Sequence, residues 1–346
     1  MHLLLERRIA ILLHEGIRGT HGKTGLSLLR YSEAPIVAVI DRDCAGQSIP
    51  QLTGIKRDVP IVASVAEALE YKPEVLVIGI ATKGGVVPDD YWHDIKEALA
   101  AGMSLVNGLH KPMSAMPELK ALLKTGQLIW DVRQEPPNLG IGTGIARTLS
   151  CRRVLTVGTD MSVGKMSTSL ELDAASRRRG WRSKFIATGQ TGLMLKGDGI
   201  ALDAVRVDFA AGAVEQQVMQ YGPDHDILHI EGQGSLLHPG STATLPLIRG
   251  SQPTQLILVH RAGQKEVVDG VPIPPLPKVI ELYEMVATAA GAFAPVPVVG
   301  IALNTHHLDH KAAKEAIAAV EAETNLPCTD AIRFGPEKLL DAIFNG

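Results

Sequence analysis

A loop rich in small residues, between a predicted strand and a predicted helix, is the part of the sequence best suited to chemistry. The strand is the apolar run 154–157, Gly158 follows it, and Gly164 and Lys165 stand immediately before a segment with helical spacing. The first N–H groups of a helix lack intrahelical partners, and the helix dipole favours an anion there. Glycines let the backbone turn around phosphates, and Lys165 adds a positive charge. The pattern therefore predicts a phosphate-binding loop.

This loop departs from the common phosphate-binding pattern in two ways. Its glycines are one residue further apart than in G-x-x-x-x-G-K-[ST], and Met166 stands where that pattern has the hydroxyl that holds Mg²⁺. The run Gly-Thr-Asp-x-x-Val-Gly-Lys resembles the loop of dethiobiotin synthetase and of the cobyrinic acid amidating enzymes. A phosphate cradle is compatible with Met166, but a standard Mg-ATP site is not assured. The expected cofactor-binding residues of the loop are Gly158, Thr159, Asp160, Ser162, Val163, Gly164, Lys165, Met166 and Ser167.

A carboxylate follows a second apolar strand, at Glu231 in the run Glu-Gly-Gln-Gly-Ser-Leu-Leu-His-Pro. Carboxyl ends of parallel strands meet at one edge of a sheet, so Glu231 is expected beside the phosphate loop if the two strands are neighbours. The run resembles the Glu-Gly-Ala-Gly-Gly element of the dethiobiotin synthetase group. Glu231 is expected to hold a cation or to take a proton from an amine, and the His238 imidazole suits the same proton transfer. A capping carboxylate and a surface-loop histidine are the structural alternatives.

Further polar residues follow other predicted strands, and such loops line ligand crevices in open α/β sheets. Asn304 follows the strand 296–303, and in the nucleotide enzymes just mentioned an asparagine at this place recognises adenine. Lys83, Arg147 and Arg261 are cations suited to substrate carboxylates. The residues expected to bind substrate are Lys83, Arg147, Thr188, Gln190, Thr191, Gln233 and Arg261.

Composition excludes several classes of protein. A net charge of −3 gives no reason to expect nucleic acid or an anionic membrane as a partner, and no apolar stretch is long enough to span a bilayer. Three widely spaced cysteines provide neither a disulfide framework nor a paired zinc motif, so no metal is expected outside the ATP- and Mg²⁺-dependent alternative given below. The first residues have the wrong charge order for a signal peptide. We expect a cytoplasmic protein, a homo-oligomer, that acts on a small molecule.

Alternating strands and helices indicate an α/β protein with parallel sheets. Residues 1–145 are expected to form a Rossmann-like domain, and residues 146–346 a P-loop NTPase-like domain, with a Pro- and Gly-rich connection near 134–150. Gly19–Thr24 in the first domain is similar to a Mur ligase loop. Its functional interpretation, a second anion site, and its structural one, a glycine-rich turn, both stay open. Asp41 lies where a ribose-binding acid would be, but the dinucleotide fingerprint is missing.

The order of Gly158–Lys165, Thr188–Gly192, Glu231–His238 and Asn304, behind a Rossmann-like domain, resembles the DUF1611 family over essentially the whole chain. That family includes D-glutamate N-acetyltransferases, which use acetyl-CoA. The resemblance implies transfer of an acetyl group from acetyl-CoA to the amino group of an acidic amino acid, D-glutamate. For that activity we expect the loop to hold the CoA phosphates, with Asn304 near the adenine, and Glu231 or His238 to deprotonate the substrate ammonium group. The expected catalytic residues are Glu231, His238 and Lys165.

Two other functions are compatible with the same residues. One is an ATP- and Mg²⁺-dependent carboxylate-activating ligase of the dethiobiotin synthetase type, in which Glu231 holds the metal. The other is a nucleotide sensor without catalysis. Release of ADP that requires Mg²⁺ would identify the ligase, and binding without turnover would identify the sensor.

Overall fold

The computed structural model describes Leu4, residues 6–268 and residues 270–345. Its first part alternates short buried strands with helices. The strands are β1 Ile9–Leu12, β2 Ile36–Ile40, β3 Ile61–Val62, β4 Val75–Ile78, β5 Ser104–Asn107 and β6 Ile129–Asp131. The helices are α1 Lys23–Tyr31, α2 Ile49–Thr53, α3 Val65–Ala68, α4 Tyr91–Ala101 and α5 Pro117–Lys120, with 3₁₀ turns at Leu69–Tyr71 and Lys83–Gly85.

The second part repeats the alternation with longer elements. The strands are β7 Arg152–Gly158, β8 Ser183–Ile186, β9 Ile227–Ile230, β10 Gln255–Arg261, β11 Glu266–Val268, β12 Val271–Pro272, β13 Val298–Asn304 and β14 Cys328–Thr329. The helices are α6 Lys165–Arg178, α7 Gln190–Lys196, α8 Val207–Tyr221, α9 Thr244–Ser251, α10 Leu276–Ala287, α11 His310–Thr324 and α12 Glu337–Asn345. Single turns lie at Ile145–Thr148, Leu202–Ala204, Gly222–Asp224 and Thr288–Ala292.

The chain folds as two compact units. The first contains Met1–Gln134 and Gln190–Gly197, and the second contains Glu135–Gly189 and Asp198–Gly346. The sequence places the division near residue 145. It does not indicate that α7 belongs to the first unit while the residues on either side of it belong to the second. Helix α7 packs in the first unit because Leu193, Met194 and Leu195 form a buried apolar run there, in which the Met194 Cε atom lies against Gly108.

The first unit has one parallel sheet with the strand order β3-β2-β1-β4-β5-β6. This is the order of a Rossmann fold, in which the chain reverses direction across the sheet between β1 and β4. Every residue of β1 and β4 is buried, as expected for strands covered on both faces. The predicted Rossmann-like domain is confirmed.

The second unit has a parallel sheet with the order β14-β13-β10-β7-β9-β8. Alternate residues of its strands enter two cores, so that Leu155 and Leu256 face one core while Val154 and Ile257 face the other. Strand β7 lies between β10 and β9, and therefore the loop that follows it has both neighbours' carboxyl ends beside it. The predicted P-loop-like sheet is confirmed.

The helices of the second unit begin and end where local chemistry allows. Helix α11 begins at Asp309, whose carboxylate accepts a hydrogen bond from Ala312 N at 2.8 Å. Helix α6 ends before Gly180, which has a φ of +85° that favours glycine. In the described chain, no helix is long and apolar enough to cross a bilayer.

Candidate functional site

The phosphate loop joins β7 to α6 as a tight backbone turn. A Cβ atom on Gly158 would lie 3.0 Å from Lys165 Nζ and 3.2 Å from Asp160 O. Gly164 has a φ of +118° and Ser162 a φ of +56°, so the chain enters the helix through left-handed conformations. The N-cap residue of α6 is Gly164, which has no side chain with which to cap the helix. The first N–H groups of the helix are therefore open to an anion.

Lys165 is held inside this loop. Its Nζ donates to Asp160 O at 2.7 Å, and only 6% of the residue is exposed. A Cβ atom on Gly232 would lie 2.9 Å from Lys165 Cδ, so the lysine stem passes against the backbone that follows Glu231. The structure thus brings two of the predicted catalytic residues, Lys165 and Glu231, to one edge of the sheet.

Two hydroxyl groups under the loop fix this arrangement. Thr156 Oγ1 accepts a hydrogen bond from Gly232 N at 2.9 Å and lies 3.0 Å from Ser169 Oγ. Because Thr156 belongs to β7, the pair ties the end of β9 to the phosphate loop and to the helix that follows it. The expectation that the two strands are neighbours is confirmed.

Glu231 is 3% exposed and binds the loop that follows β8. Its Oε2 accepts from Thr188 N at 2.9 Å and from Gly189 N at 3.2 Å, while Oε1 accepts from Gln233 Nε2 at 2.9 Å. Thr188 Oγ1 also donates to Glu231 O at 2.6 Å. Three residues predicted from sequence, Glu231, Thr188 and Gln233, therefore meet here, and the carboxylate orders the loop after β8.

Asp160 and Arg261 hold the outer side of the loop. The Asp160 carboxylate accepts from Met161 N and from Gln264 Nε2, each at 2.6 Å. Arg261, at the end of β10, donates through Nη2 to Ser162 O at 3.1 Å. Asp160 thus stabilises the loop to which it belongs, and Arg261 binds the backbone of the same loop.

Asn304 lies on the same edge, one strand further. Its Nδ2 donates to Val163 O at 2.9 Å, and its Oδ1 accepts from His306 N at 3.2 Å. The register of β10 and β13 pairs Arg261 with Asn304. The predicted adenine-side residue is therefore in direct contact with the phosphate loop.

Two residues that we did not predict also hold the loop. Tyr283 of α10 is fully buried, and its hydroxyl donates to Gly158 O at 2.7 Å. His260 Nδ1 lies 2.9 Å from Thr159 Oγ1, and burial followed by the charge of Arg261 lowers the pKa of His260 to about 4. His260 is therefore neutral at pH 7. The position of His260 at the end of an apolar strand could have indicated that it lies near the site, whereas no local pattern identifies Tyr283.

His238 is half-buried, and its Nδ1 accepts a hydrogen bond from Gly240 N at 3.0 Å. This bond closes the turn in which His238 itself lies. Met166 and Ser167 occupy the first turn of α6 and are half-buried.

The other residues predicted to bind substrate are Lys83, Arg147, Gln190 and Thr191. Arg147 donates to Gln252 Oε1 through its backbone and to Gly144 O through its side chain, at the amino end of β10. Gln190 and Thr191 belong to the first unit, where Thr191 Oγ1 lies 3.2 Å from Thr24 Oγ1. The side chain of Lys83 lies outside the described residues.

The glycine-rich turn of the first unit is closely packed. A Cβ atom on Gly22 would lie 2.0 Å from Gly16 O, so this segment folds back on itself. Asp41 is fully buried, and its carboxylate accepts from Asp43 N at 3.2 Å and from Ile17 N at 3.4 Å. Asp41 thus closes the turn with its own carboxylate.

A cavity of about 590 Å³ lies elsewhere on the second unit, between α8, α9 and the turn Thr288–Ala292. Its lining includes the exposed apolar side chains of Ile141, Val207 and Phe293, and it contains no predicted site residue. Across residues 6–268 and 270–345, no three His, Cys, Asp or Glu side chains are grouped to hold a metal ion.

Comparison with known proteins identifies relatives over most of the chain. A family model described as the DUF1611_C P-loop domain matches residues 140–340, and one described as the DUF1611_N Rossmann-like domain matches residues 42–135. A crystal structure of a DUF1611 family protein from Anabaena variabilis has 73% identity and a TM-score of 0.96, covering 98% of this chain and 100% of that chain.

Two curated relatives carry a functional name. A D-glutamate N-acetyltransferase from Tritonibacter scottomollicae is 39% identical over 283 residues, covering 81% of this chain and 84% of the relative. A D-glutamate N-acetyltransferase from a Pseudoalteromonas species is 35% identical over 283 residues, covering 80% and 83%. In both cases the match spans more than two thirds of each chain.

Proposed function

The chain belongs to the DUF1611 family and is an enzyme of the acyltransferase class, and from this premise we propose that it transfers an acetyl group from acetyl-CoA to the amino group of D-glutamate. The observation that carries the proposal is the 39% identity to a D-glutamate N-acetyltransferase over 81% of the chain. The geometry of the phosphate loop and of Glu231 supports it independently.

The loop suits a phosphate group that is bound and not cleaved. The uncapped first turn of α6 and the enclosed Lys165 Nζ provide donors and a positive charge for a diphosphate. Met166 provides no hydroxyl for Mg²⁺, which an anchoring role does not need. We therefore propose that this loop, with Asn304 beside it, holds the nucleotide end of CoA.

Acetyl-CoA would supply an activated acetyl carbonyl, and the chain's own residues would handle protons. We propose that Glu231 takes one proton from the substrate ammonium group, which leaves the nitrogen uncharged and able to bond to the carbonyl carbon. As the new C–N bond forms, the C–S bond breaks, and the second proton lost by nitrogen goes to the thiolate. Glu231 then returns its proton to solvent. Thr188 and Gln233, which bind Glu231, would border the amino-acid site.

The test is an assay of thiol release from acetyl-CoA with D-glutamate, with mass spectrometry of N-acetyl-D-glutamate. Lys165→Ala should raise the KM for acetyl-CoA about 10- to 100-fold, because a charge-assisted bond to phosphate is lost. Glu231→Gln should lower kcat by about 10²- to 10⁴-fold, since it removes the proton acceptor at nearly the same side-chain volume.

Lys314→Ala and Glu315→Gln, two exposed changes on α11, serve as matched controls. Full activity in Glu231→Gln would remove Glu231 from the mechanism. Release of ADP from Mg-ATP, with no turnover of acetyl-CoA, would replace the proposal with the ligase.

A further inference from the structure

A group of basic residues follows the carboxyl ends of β10, β13 and β14, and we call it the basic rim: Arg261, His306, His307 and Arg333. Arg333 donates through its guanidinium to Leu308 O at 2.8 Å and to Asp309 O at 3.2 Å, so it adds charge to the rim. Arg261 is the register partner of Asn304, and His306 Nδ1 lies 2.9 Å from Asn304 Oδ1. The rings of His306 and His307 are 5.3 Å apart. The rim therefore adjoins the asparagine that contacts the phosphate loop, through Arg261 and His306.

Arg261 has an unused donor. Its Nη2 binds Ser162 O, but its Nε is buried and has no hydrogen-bond partner within the described residues. A guanidinium has only donors, and a buried donor without an acceptor is costly. The chemistry of this side chain fits an external anion.

The carboxylates near the rim are engaged elsewhere. Asp330 accepts from Thr305 N at 2.9 Å, from Thr305 Oγ1 at 2.6 Å and from Arg333 N at 3.0 Å. Asp160 accepts from Met161 N and Gln264 Nε2. The local field stays positive, since Arg261, His307 and Arg333 add to burial in lowering the pKa of His306, with Asp330 opposing them.

We infer that the basic rim, with Arg261 as its centre, binds the 3′-phosphate that distinguishes CoA from ATP. This inference rests on the proposed function. CoA carries two anionic groups on one nucleoside, a 5′-diphosphate and a 3′-phosphate. The phosphate loop takes the first, and Asn304 joins that loop to the rim. An arginine fork matches the geometry of a phosphate monoester. The rim thereby selects the donor.

The kinetic test compares acetyl-CoA with acetyl-dephospho-CoA, which lacks only the 3′-phosphate. The wild-type enzyme should prefer acetyl-CoA in kcat/KM by about 10- to 100-fold, as expected for charge-assisted hydrogen bonds to one phosphate. Arg261→Gln keeps an N–H group for Ser162 O but loses the charge. The ratio of the two donors should fall at least tenfold in this variant, whatever happens to the absolute rate.

A binding test reads the same subsite without turnover. Calorimetric titration compares adenosine 3′,5′-bisphosphate with AMP, which lacks the 3′-phosphate. The wild type should bind the bisphosphate more tightly, and the ratio of the two Kd values should approach one in Arg261→Gln and also in His306→Ala. Arg178→Gln is the matched control, because Arg178 lies at the opposite end of α6 and pairs with Glu337 at 3.1 Å. In Arg178→Gln, the kcat/KM ratio of the two donors and the Kd ratio of the two nucleotides should equal those of the wild type.

Equal use of both donors by the wild type would overturn the inference while leaving the acetyltransferase intact. A preference that persists in Arg261→Gln and His306→Ala would remove the rim from 3′-phosphate recognition. Failure of the wild type to use either donor would overturn the proposed function, and the inference with it.

Discussion

Tyr283 is the residue through which the core of the second unit controls the phosphate loop. Its hydroxyl donates to Gly158 O at 2.7 Å and accepts from Leu236 N at 3.0 Å, so one buried oxygen joins the loop to the segment after Glu231. Burial raises the pKa of the Tyr283 phenol, which therefore stays protonated and able to donate. Loop geometry thus depends on a residue far away in sequence.

Replacing Tyr283 by Phe should destabilise the protein by about 2 kcal/mol, because it leaves the Gly158 carbonyl and the Leu236 N–H buried without their partner. The Kd for acetyl-CoA should rise as the loop loses its anchor. Urea unfolding and calorimetry measure the two effects. Tyr71→Phe, at an exposed tyrosine, is the control. Equal stability of the two variants would show that the Tyr283 hydroxyl contributes nothing.

At the scale of elements, packing and charge compete to hold α12 against α6. Arg178 and Arg179 pair with Glu337 at 3.1 Å and Asp341 at 2.6 Å, but all four side chains are largely exposed. Exposed pairs contribute about 0–1 kcal/mol. Leu339, Leu340 and Ile343 are fully buried in the core on that face. Packing should therefore dominate, although Arg178 and Arg179 each have a carboxylate partner on α12.

Leu340→Ala should cost about 2–5 kcal/mol of unfolding free energy, the usual effect of emptying a leucine site in a core. The double change Arg178→Gln with Arg179→Gln should cost less than about 1 kcal/mol. Urea unfolding at two salt concentrations separates them, since only the charge contribution is screened. A larger loss in the arginine variant would reverse this ranking.

The elements that sequence predicts well are those with long apolar runs. The runs 154–157 and 296–303 predict β7 and β13, whereas β6 and β14 have only three and two residues and leave no pattern. Helix α7 was interpreted as part of a loop, because Thr188–Gly192 looks polar, and its tertiary packing decides otherwise. Local patterns thus determine the strands, and long-range contacts determine the exceptions.

The same limit applies to the site. The phosphate loop, Glu231 and Asn304 follow strand ends, so parallel pairing suffices to bring them together. The anchoring role of Tyr283 depends on a helix more than a hundred residues away and has no local signal. Glu215 also depends on long-range contacts, since it is 6% exposed and accepts from Thr143 N, Thr143 Oγ1 and Ile145 N.

For the whole molecule, two buried histidines link stability to pH. Burial, with a smaller contribution from Arg177, lowers the pKa of His229 to about 3, and burial with Arg261 lowers that of His260 to about 4. Both stay neutral in the folded state, while the unfolded chain protonates them near pH 6.5. Between pH 6.5 and these lower values the unfolded state binds more protons, so acidification removes stability.

We expect the unfolding free energy of the second unit to fall by about 1.4 kcal/mol per pH unit for each of these histidines between pH 6 and pH 4.5. His229→Gln should lower that slope by about 1.4 kcal/mol per pH unit, the contribution of one proton, because glutamine does not titrate. The glutamine can still bond to Ser176 Oγ, which lies 2.8 Å from His229 Nε2. Urea unfolding followed by Trp181 fluorescence, with Trp92 and Trp130 replaced by Phe, reports on this unit. His93→Gln, at an exposed histidine, is the control. An unchanged slope in His229→Gln would mean that His229 is protonated in the folded protein, and its burial beside Ser176 would then need a compensating charge.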